Sequence, residues 1–270
     1  MVLVPLVVGA MIDAAVLGLA GLRADLADDV LTITLDRAET HNAQTPAMWS
    51  ALAAIGRDAP GTVRFVVVRG AGPSFSSGLD TALLASSAGT AAIEGIGLLP
   101  EDKGLALIAE YQSAFSWLTR PDIVSIAAVR GHAIGAGFQL ALACDLRIAA
   151  DDAAFAMPEG TRGLVPDLGG TRPLVRTIGY ARALELCLTG RRVGAEEARQ
   201  CGLVNLVVRP ADLDAAVADC VSALRATSRG ASAEIKALLQ AALGQSAEEQ
   251  LASEREGQLR RLKDGLAMGD

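Results

Sequence analysis

The sequence predicts an α/β fold, and three observations carry the prediction. Near-continuous runs of Val, Ile and Leu recur along the chain, stretches with helical patterning lie between them, and short Gly- or Pro-rich turns separate the two. Apolar strands alternating with helices are the pattern of a mostly parallel sheet covered on both faces. With 270 residues, 51% of them hydrophobic and 20% charged, the chain can bury a full core and is not disordered. Only 3% are aromatic, so the core is expected to be closely packed Ala-rich helices on Val/Ile strands.

Residues 1–22 are apolar but lack the leading basic residues of a signal peptide. Pro5, Gly9, Asp13 and Gly18 interrupt the run, so no stable membrane insertion is expected. Residues 1–21 are read as an N-terminal tail of unknown role, with Met11 an alternative start. Val30 to Leu35 alternates Val, Ile and Leu with Thr, as a strand does. Thr45 then caps a helix that starts at Pro46 and carries Met48, Leu52 and Ile55 on one face. Pro60-Gly61 ends it, Val63 to Arg69 is the next strand, and a Gly/Ser-rich turn fills 71–80. Residues 82–103 are small and irregular, as in a mobile segment beside a site.

Leu105 to Leu118 predicts a helix stopped by Arg120-Pro121. Ile123 to Val129 is a strand that runs into GHAIGAG (131–137), then a helix over Phe138–Ala143 and a strand from Leu146 to Ala149. From about residue 180 the signals turn helical. Leu213, Val217, Cys220, Val221 and Leu224 share a face of Ala211–Thr227, and Ser246 with Glu249 forms a capping box for a last helix. This tail is expected to dock on the core or on a neighbouring subunit.

The net charge of −7 argues against nucleic acid as a partner, because phosphate binding calls for a basic face. Cys144, Cys187, Cys201 and Cys220 show no C-x-x-C spacing and suit a reducing, cytoplasmic compartment. His41 and His132 are too few and too isolated in sequence to predict a metal site.

Three segments could carry chemistry. FSSGLD (75–80) and GHAIGAGFQL (131–140) are small-residue turns after buried strands. If a helix follows each turn, its first N–H groups are unpaired, and two such groups could hold an oxygen that gains negative charge. Packing alone would also account for such turns. The spacing fails the G-x-G-x-x-G dinucleotide fingerprint. The third segment, 157–174, holds Glu159 and Asp167 among Gly and Pro. An acid beside apolar neighbours can shuttle protons; an isolated acid is also explained by capping or by pairing with Arg162 or Arg172.

Taken in order, these segments resemble the crotonase (enoyl-CoA hydratase/isomerase) family from about residue 22 to 208. ITLDRAETHNAQT is similar to its opening strand and adenine-contacting turn, FSSGLD to its F-x-x-G-x-D turn, and AVRGHAIGAGFQLALACDLRIA to its G-x-x-x-G-x-G segment. PEGTRGLVPDLGGTRPLVRTIG, followed by LTGRRVGAEEARQCGLVN, is similar to the segment around its second catalytic acid. The resemblance implies a crotonase-like spiral of ββα repeats over 22–208. It also implies a C-terminal helical region, 209–270, that assembles a homotrimer or a dimer of trimers. It implies a coenzyme A thioester as substrate, with no permanently bound cofactor and no metal. The backbone N–H groups of Leu79 and Ala136 would form the oxyanion hole. Ala43, Ser77, Gly78, Asp80, Thr81, Gly135 and Gln139 would line the substrate and CoA path, with Asp80 also fixing the turn that presents Leu79.

One departure decides the expected reaction. Family hydratases use two glutamates around one water; the second falls on Glu159, but the first falls on Gln139, which cannot take a proton near neutral pH. Asp167 lies where ring- and dienoyl-handling members carry a working aspartate. Glu159 and Asp167 are therefore expected to shift a C=C bond of an enoyl- or dienoyl-CoA. A hydratase using Glu159 with Gln139 positioning water, and a non-catalytic acyl-CoA-binding protein, are the alternatives.

Overall fold

A computed structural model describes residues 13–85 and 93–267 of the chain. The strands among the described residues are β1 (Leu22–Ala27), β2 (Val30–Leu35), β3 (Phe65–Gly70), β4 (Val124–Val129), β5 (His132–Ile134), β6 (Leu146–Ala150), β7 (Ala154–Ala156), β8 (Val193–Gly194) and β9 (Leu206–Val208). The helices of the core are α1 (Ala14–Leu19), α2 (Pro46–Asp58), α3 (Ala82–Ala85), α4 (Ile93–Ile96), α5 (Glu101–Ser116), α6 (Ala136–Ala143), α7 (Thr171–Ile178), α8 (Tyr180–Thr189) and α9 (Ala195–Gln200). Three more follow: α10 (Leu213–Arg225), α11 (Arg229–Ala241) and α12 (Ala247–Ala267).

Six strands form one sheet in the order β1-β2-β3-β4-β6-β9, and three form a second in the order β5-β7-β8. Only β1–β2 and β7–β8 run antiparallel. The chain repeats a long strand, a short strand and a helix: β4-β5-α6, then β6-β7 and α7. Isolated bridges extend the short-strand layer backwards, Ser76 to Ala133 and Gln44 to Leu79. This is the spiral of ββα turns. Leu35 pairs with Gly70 and Arg69 with Ala128, so β2, β3 and β4 end side by side. The turns that follow them meet at that carboxyl edge.

The strands are apolar on both sides because both sheet faces are covered. Val66 and Val68 face the main core with Leu52, Phe115 and Phe138, while Phe65, Val67, Ile126 and Ala128 face Leu213, Val217 and Val221 of α10. Full burial of each such side chain contributes roughly 1.5–3 kcal/mol. Thr45 caps α2 by accepting from the Met48 N–H at 3.2 Å. The capping box of α12 forms as predicted: Ser246 N–H donates to Glu249 Oε2 at 2.7 Å, and Glu249 N–H to Ser246 Oγ at 3.3 Å.

Some boundaries differ. Asp13 caps α1 through the Ala15 N–H, Leu17 is buried, and the helix leads directly into β1, so 13–21 has more structure than a loose tail implies. The rest of the expected tail, 1–12, lies outside the described residues. Strand β1 escaped prediction because only one of its faces is buried and Arg23 and Asp25 stand on the other. Helix α5 begins at Glu101, not Leu105, since Pro100, Glu101 and Asp102 suit a helix start. The expected irregular segment 82–103 contains two short helices, α3 and α4; residues 86–92 lie outside the described residues.

Helices α10 and α11 dock on the core of their own chain, and α12 packs on α11. Lys236 of α11 is buried, and its Nζ donates to the Ile123 carbonyl at 2.8 Å and to Asp145 Oδ2 at 2.7 Å. Among the described residues no helix is long and apolar enough to cross a membrane.

Candidate active site

Two turns at the carboxyl edge of the sheet present backbone donors to each other. In the turn after β3, the Gln44 N–H donates to the Gly78 carbonyl at 2.7 Å and the Asp80 N–H to the Gln44 carbonyl at 2.9 Å. Strand alternation then directs the Leu79 N–H away from Gln44. In the turn after β5, Ala136 opens α6, so its N–H has no acceptor within the helix. The turns are in close contact: a Cβ on Gly78, whose φ is +88°, would lie 2.4 Å from the Ile134 carbonyl oxygen and 3.4 Å from Ala136 N. Leu79 and Ala136, expected as a donor pair, are thus brought together.

A buried polar network backs the first turn, and the sequence reading missed it. Trp49 Nε1 donates to Gln44 Oε1 at 2.8 Å, and Gln44 Nε2 to Ser76 Oγ at 3.2 Å. Ser76 Oγ donates to the Asn42 carbonyl at 2.8 Å and accepts from the Gly78 N–H at 3.2 Å. Asn42 Nδ2 donates to the Ala71 and Ser74 carbonyls. The available signal was the polar residues Asn42, Gln44 and Ser76 inside the two turn motifs.

On the other side, Gln139 links the segments that carry the two acids. Glu159 opens the 3-10 turn Glu159–Arg162, and a Cβ on Gly135 would lie 3.4 Å from its Oε1. That oxygen accepts from Gln139 Nε2 at 2.8 Å, while Oε2 is buried with no hydrogen-bond partner among the described residues. Burial pushes the Glu159 carboxyl above the usual range; the Gln139 bond opposes this and the nearby Asp167 charge adds to it. Asp167 is also raised, by the protein around it, although its side chain is open to water and the effect is correspondingly screened. Gln112 Nε2 holds the Asp167 carbonyl at 2.7 Å. Gln139, only 2% exposed, is held on three sides: its Oε1 accepts the Leu168 N–H at 2.9 Å and the Gly170 N–H at 3.3 Å.

The remaining expected residues lie along the first turn. Ala43 is buried and its carbonyl accepts from Arg37 at 2.7 Å. The same guanidinium pairs with Asp80 at 3.0 Å, and Asp80 Oδ1 accepts the Ala82 N–H, so Asp80 fixes the turn from within the protein. Ser77 Oγ donates to the Thr40 carbonyl, and Thr81 is exposed. His41 and His132 are not isolated in space. Their rings stand 5.7 Å apart, and each Nδ1 lies 3.1 Å from the Ser74 hydroxyl.

Two small-residue turns with backbone N–H groups free of helix or strand partners lie beside the raised Glu159 carboxyl on a spiral of ββα turns, an arrangement that can stabilise and protonate an oxyanion. Residues 25–263 match the enoyl-CoA hydratase/isomerase family. A Rhodobacter capsulatus protein named as a probable enoyl-CoA hydratase is 38% identical over 193 residues, 72% of this chain and 70% of that one. Carnitinyl-CoA dehydratase of Escherichia coli K12 is 40% identical over 187 residues, 68% of this chain and 66% of that one. A Thermobifida fusca YX protein, described as a putative enoyl-CoA hydratase and solved with CoA, is 46% identical, with a TM-score of 0.88, over 94% of this chain and 98% of that one. A Thermobifida fusca YX structure described in the same words, 47% identical with a TM-score of 0.88 over 93% of this chain and 98% of that one, holds acetoacetyl-CoA. The chain belongs to the enoyl-CoA hydratase/isomerase family and is an enzyme of that family.

Proposed function

We propose that this enzyme moves a C=C bond of an enoyl- or dienoyl-CoA thioester. The observation that carries the reading is the Glu159–Gln139 pair: a raised carboxyl bonded to a neutral amide where a hydratase would place its other glutamate. The thioester oxygen sits between the Leu79 and Ala136 N–H groups. A carboxylate, Glu159 or Asp167, takes a proton from the carbon between the C=C bond and the thioester. The electron pair moves onto the thioester oxygen, which the two N–H groups stabilise as an enolate. A carboxylic acid of the same pair then returns a proton at the far carbon, so the C=C bond moves and no water is consumed. Ala43, Ser77, Gly78, Thr81 and Gly135 line the CoA path.

Hydration by Glu159 is the second reading, favoured by the relatives named as hydratases. Turnover of 3-enoyl- and dienoyl-CoA by the wild type, lost in Glu159→Ala and Asp167→Ala, supports isomerisation. Unchanged turnover in both variants sinks it. Crotonyl-CoA hydration that persists while isomerisation is absent supports the second reading, and CoA-ester binding without turnover contradicts both. The assembly proposed is a homotrimer or a dimer of trimers in the cytoplasm, with Ile235 and Leu239 of α11 and Leu243 just after it exposed on the tail; a monomer by light scattering contradicts it.

A further inference from the structure

We propose that Gln139 is a positioning residue that sets the Glu159 carboxyl and ties the Asp167 loop to it, and that it does not activate water. The inference rests on Glu159 and Asp167 being the proton-handling pair. The amide orientation is fixed by its partners: an oxygen must face the two backbone donors, Leu168 N–H at 2.9 Å and Gly170 N–H at 3.3 Å. Nε2 therefore faces Glu159 Oε1, at 2.8 Å. Both lone pairs of the amide oxygen are taken, so none remains to accept a proton from an attacking water. A glycine is needed at 170 for this clamp, because a Cβ there would lie 2.7 Å from Gln139 Cγ.

One side chain thus joins α6, the turn that carries Glu159 and the loop that carries Asp167. With Oε1 engaged, Oε2 is the Glu159 oxygen left without a hydrogen-bond partner among the described residues, and so the one free to carry a proton. A glutamate at 139 would keep the two backbone bonds with one oxygen. Its other oxygen would meet Glu159 Oε1 with no hydrogen between them; the two backbone N–H bonds keep the carboxylate at 139 ionised, so Glu159 would hold its proton to higher pH. The other charged or titratable groups near Glu159 are Asp167 on the loop, Arg162 on its own turn and Cys187 on α8, and none is altered by the substitution.

The test is a carbon NMR titration of the full-length protein labelled at glutamate carboxyls, with the Glu159 signal assigned by its loss in Glu159→Gln. In Gln139→Glu and in the near-isosteric Gln139→Met, the Glu159 midpoint is expected about one pH unit or more above wild type. Isomerisation of a 3-enoyl-CoA is expected to lose about tenfold or more in kcat, with KM within about threefold. The swap Gln139→Glu with Glu159→Gln restores the hydrogen bond, so it regains wild-type thermal stability without turnover. An unmoved midpoint in either single variant, or a loss confined to KM, overturns the proposal. If the wild type isomerises nothing yet the midpoint still moves, the isomerase reading fails while the positioning of Glu159 by Gln139 stands.

Discussion

Gly78→Ala is the sharpest single perturbation of the donor pair. Gly78 sits at φ +88°, and the added methyl would lie 2.4 Å from the Ile134 carbonyl oxygen. Ordinary contact requires the two turns to part by about 1 Å, which moves the Leu79 N–H off the Ala136 N–H. A positive φ costs an alanine about 1 kcal/mol, and local overpacking adds about 1–3. Loss of one oxyanion donor lowers kcat by roughly 10²–10³-fold, and a 1 Å misplacement is of the same order. Stability should therefore fall by about 2–4 kcal/mol and kcat by at least about a hundredfold. Gly202→Ala is the control: its φ is +80°, but the nearest atom to the new methyl is the Thr177 carbonyl at an ordinary 3.7 Å. It should cost about 1 kcal/mol and leave kcat intact. Chemical denaturation and steady-state turnover of a 3-enoyl-CoA measure both effects. A folded Gly78→Ala protein with kcat within threefold of wild type refutes the donor-pair reasoning.

Further outcomes follow from the buried ionisable groups. Because burial raises the Glu159 carboxyl, the folded state holds that proton more tightly than the unfolded chain, so wild-type stability falls as pH rises through the interval between the two pKa values. Glu159→Gln should accordingly raise Tm at pH 7–8, with the gain vanishing below about pH 4. Lys236→Met breaks the bonds to Ile123 and Asp145 and should lower stability by about 3 kcal/mol, seen as a lower urea midpoint with unchanged slope. The Cys144 thiol, pushed up to about 12 by burial, should resist thiol reagents at pH 8 and react once the protein is unfolded.

The strands β3, β4 and β6 were legible as largely apolar runs covered on both faces, and β2 through its alternation of Val, Ile and Leu with Thr. Helix α2 was legible through Thr45-Pro46, and α12 through Ser246 and Glu249. The second sheet was not, because β5, β7 and β8 span only two or three residues, too short for any period to show. At the site, the glycine turns and the two acids could be found from composition and spacing. The clamp could not: Gln139 reads in sequence only as a glutamate that lost its charge, and its partners at 159, 168 and 170 are set by the fold. Likewise, His41 and His132 meet only because the turns after β2 and β4 end at one sheet edge.

Exchange in D2O tests the central claim most directly, because proton removal beside a thioester leaves a mark even when no net product forms. With a 3-enoyl-CoA as substrate, the wild type should wash deuterium into carbon 2 and the product. Glu159→Gln, which keeps a hydrogen bond to Gln139, should bind the CoA ester comparably and lose exchange by about 10²-fold or more. Exchange that is undetectable in the wild type, or undiminished in Glu159→Gln, would contradict the assignment of Glu159 as a proton carrier opposite the Leu79 and Ala136 donors.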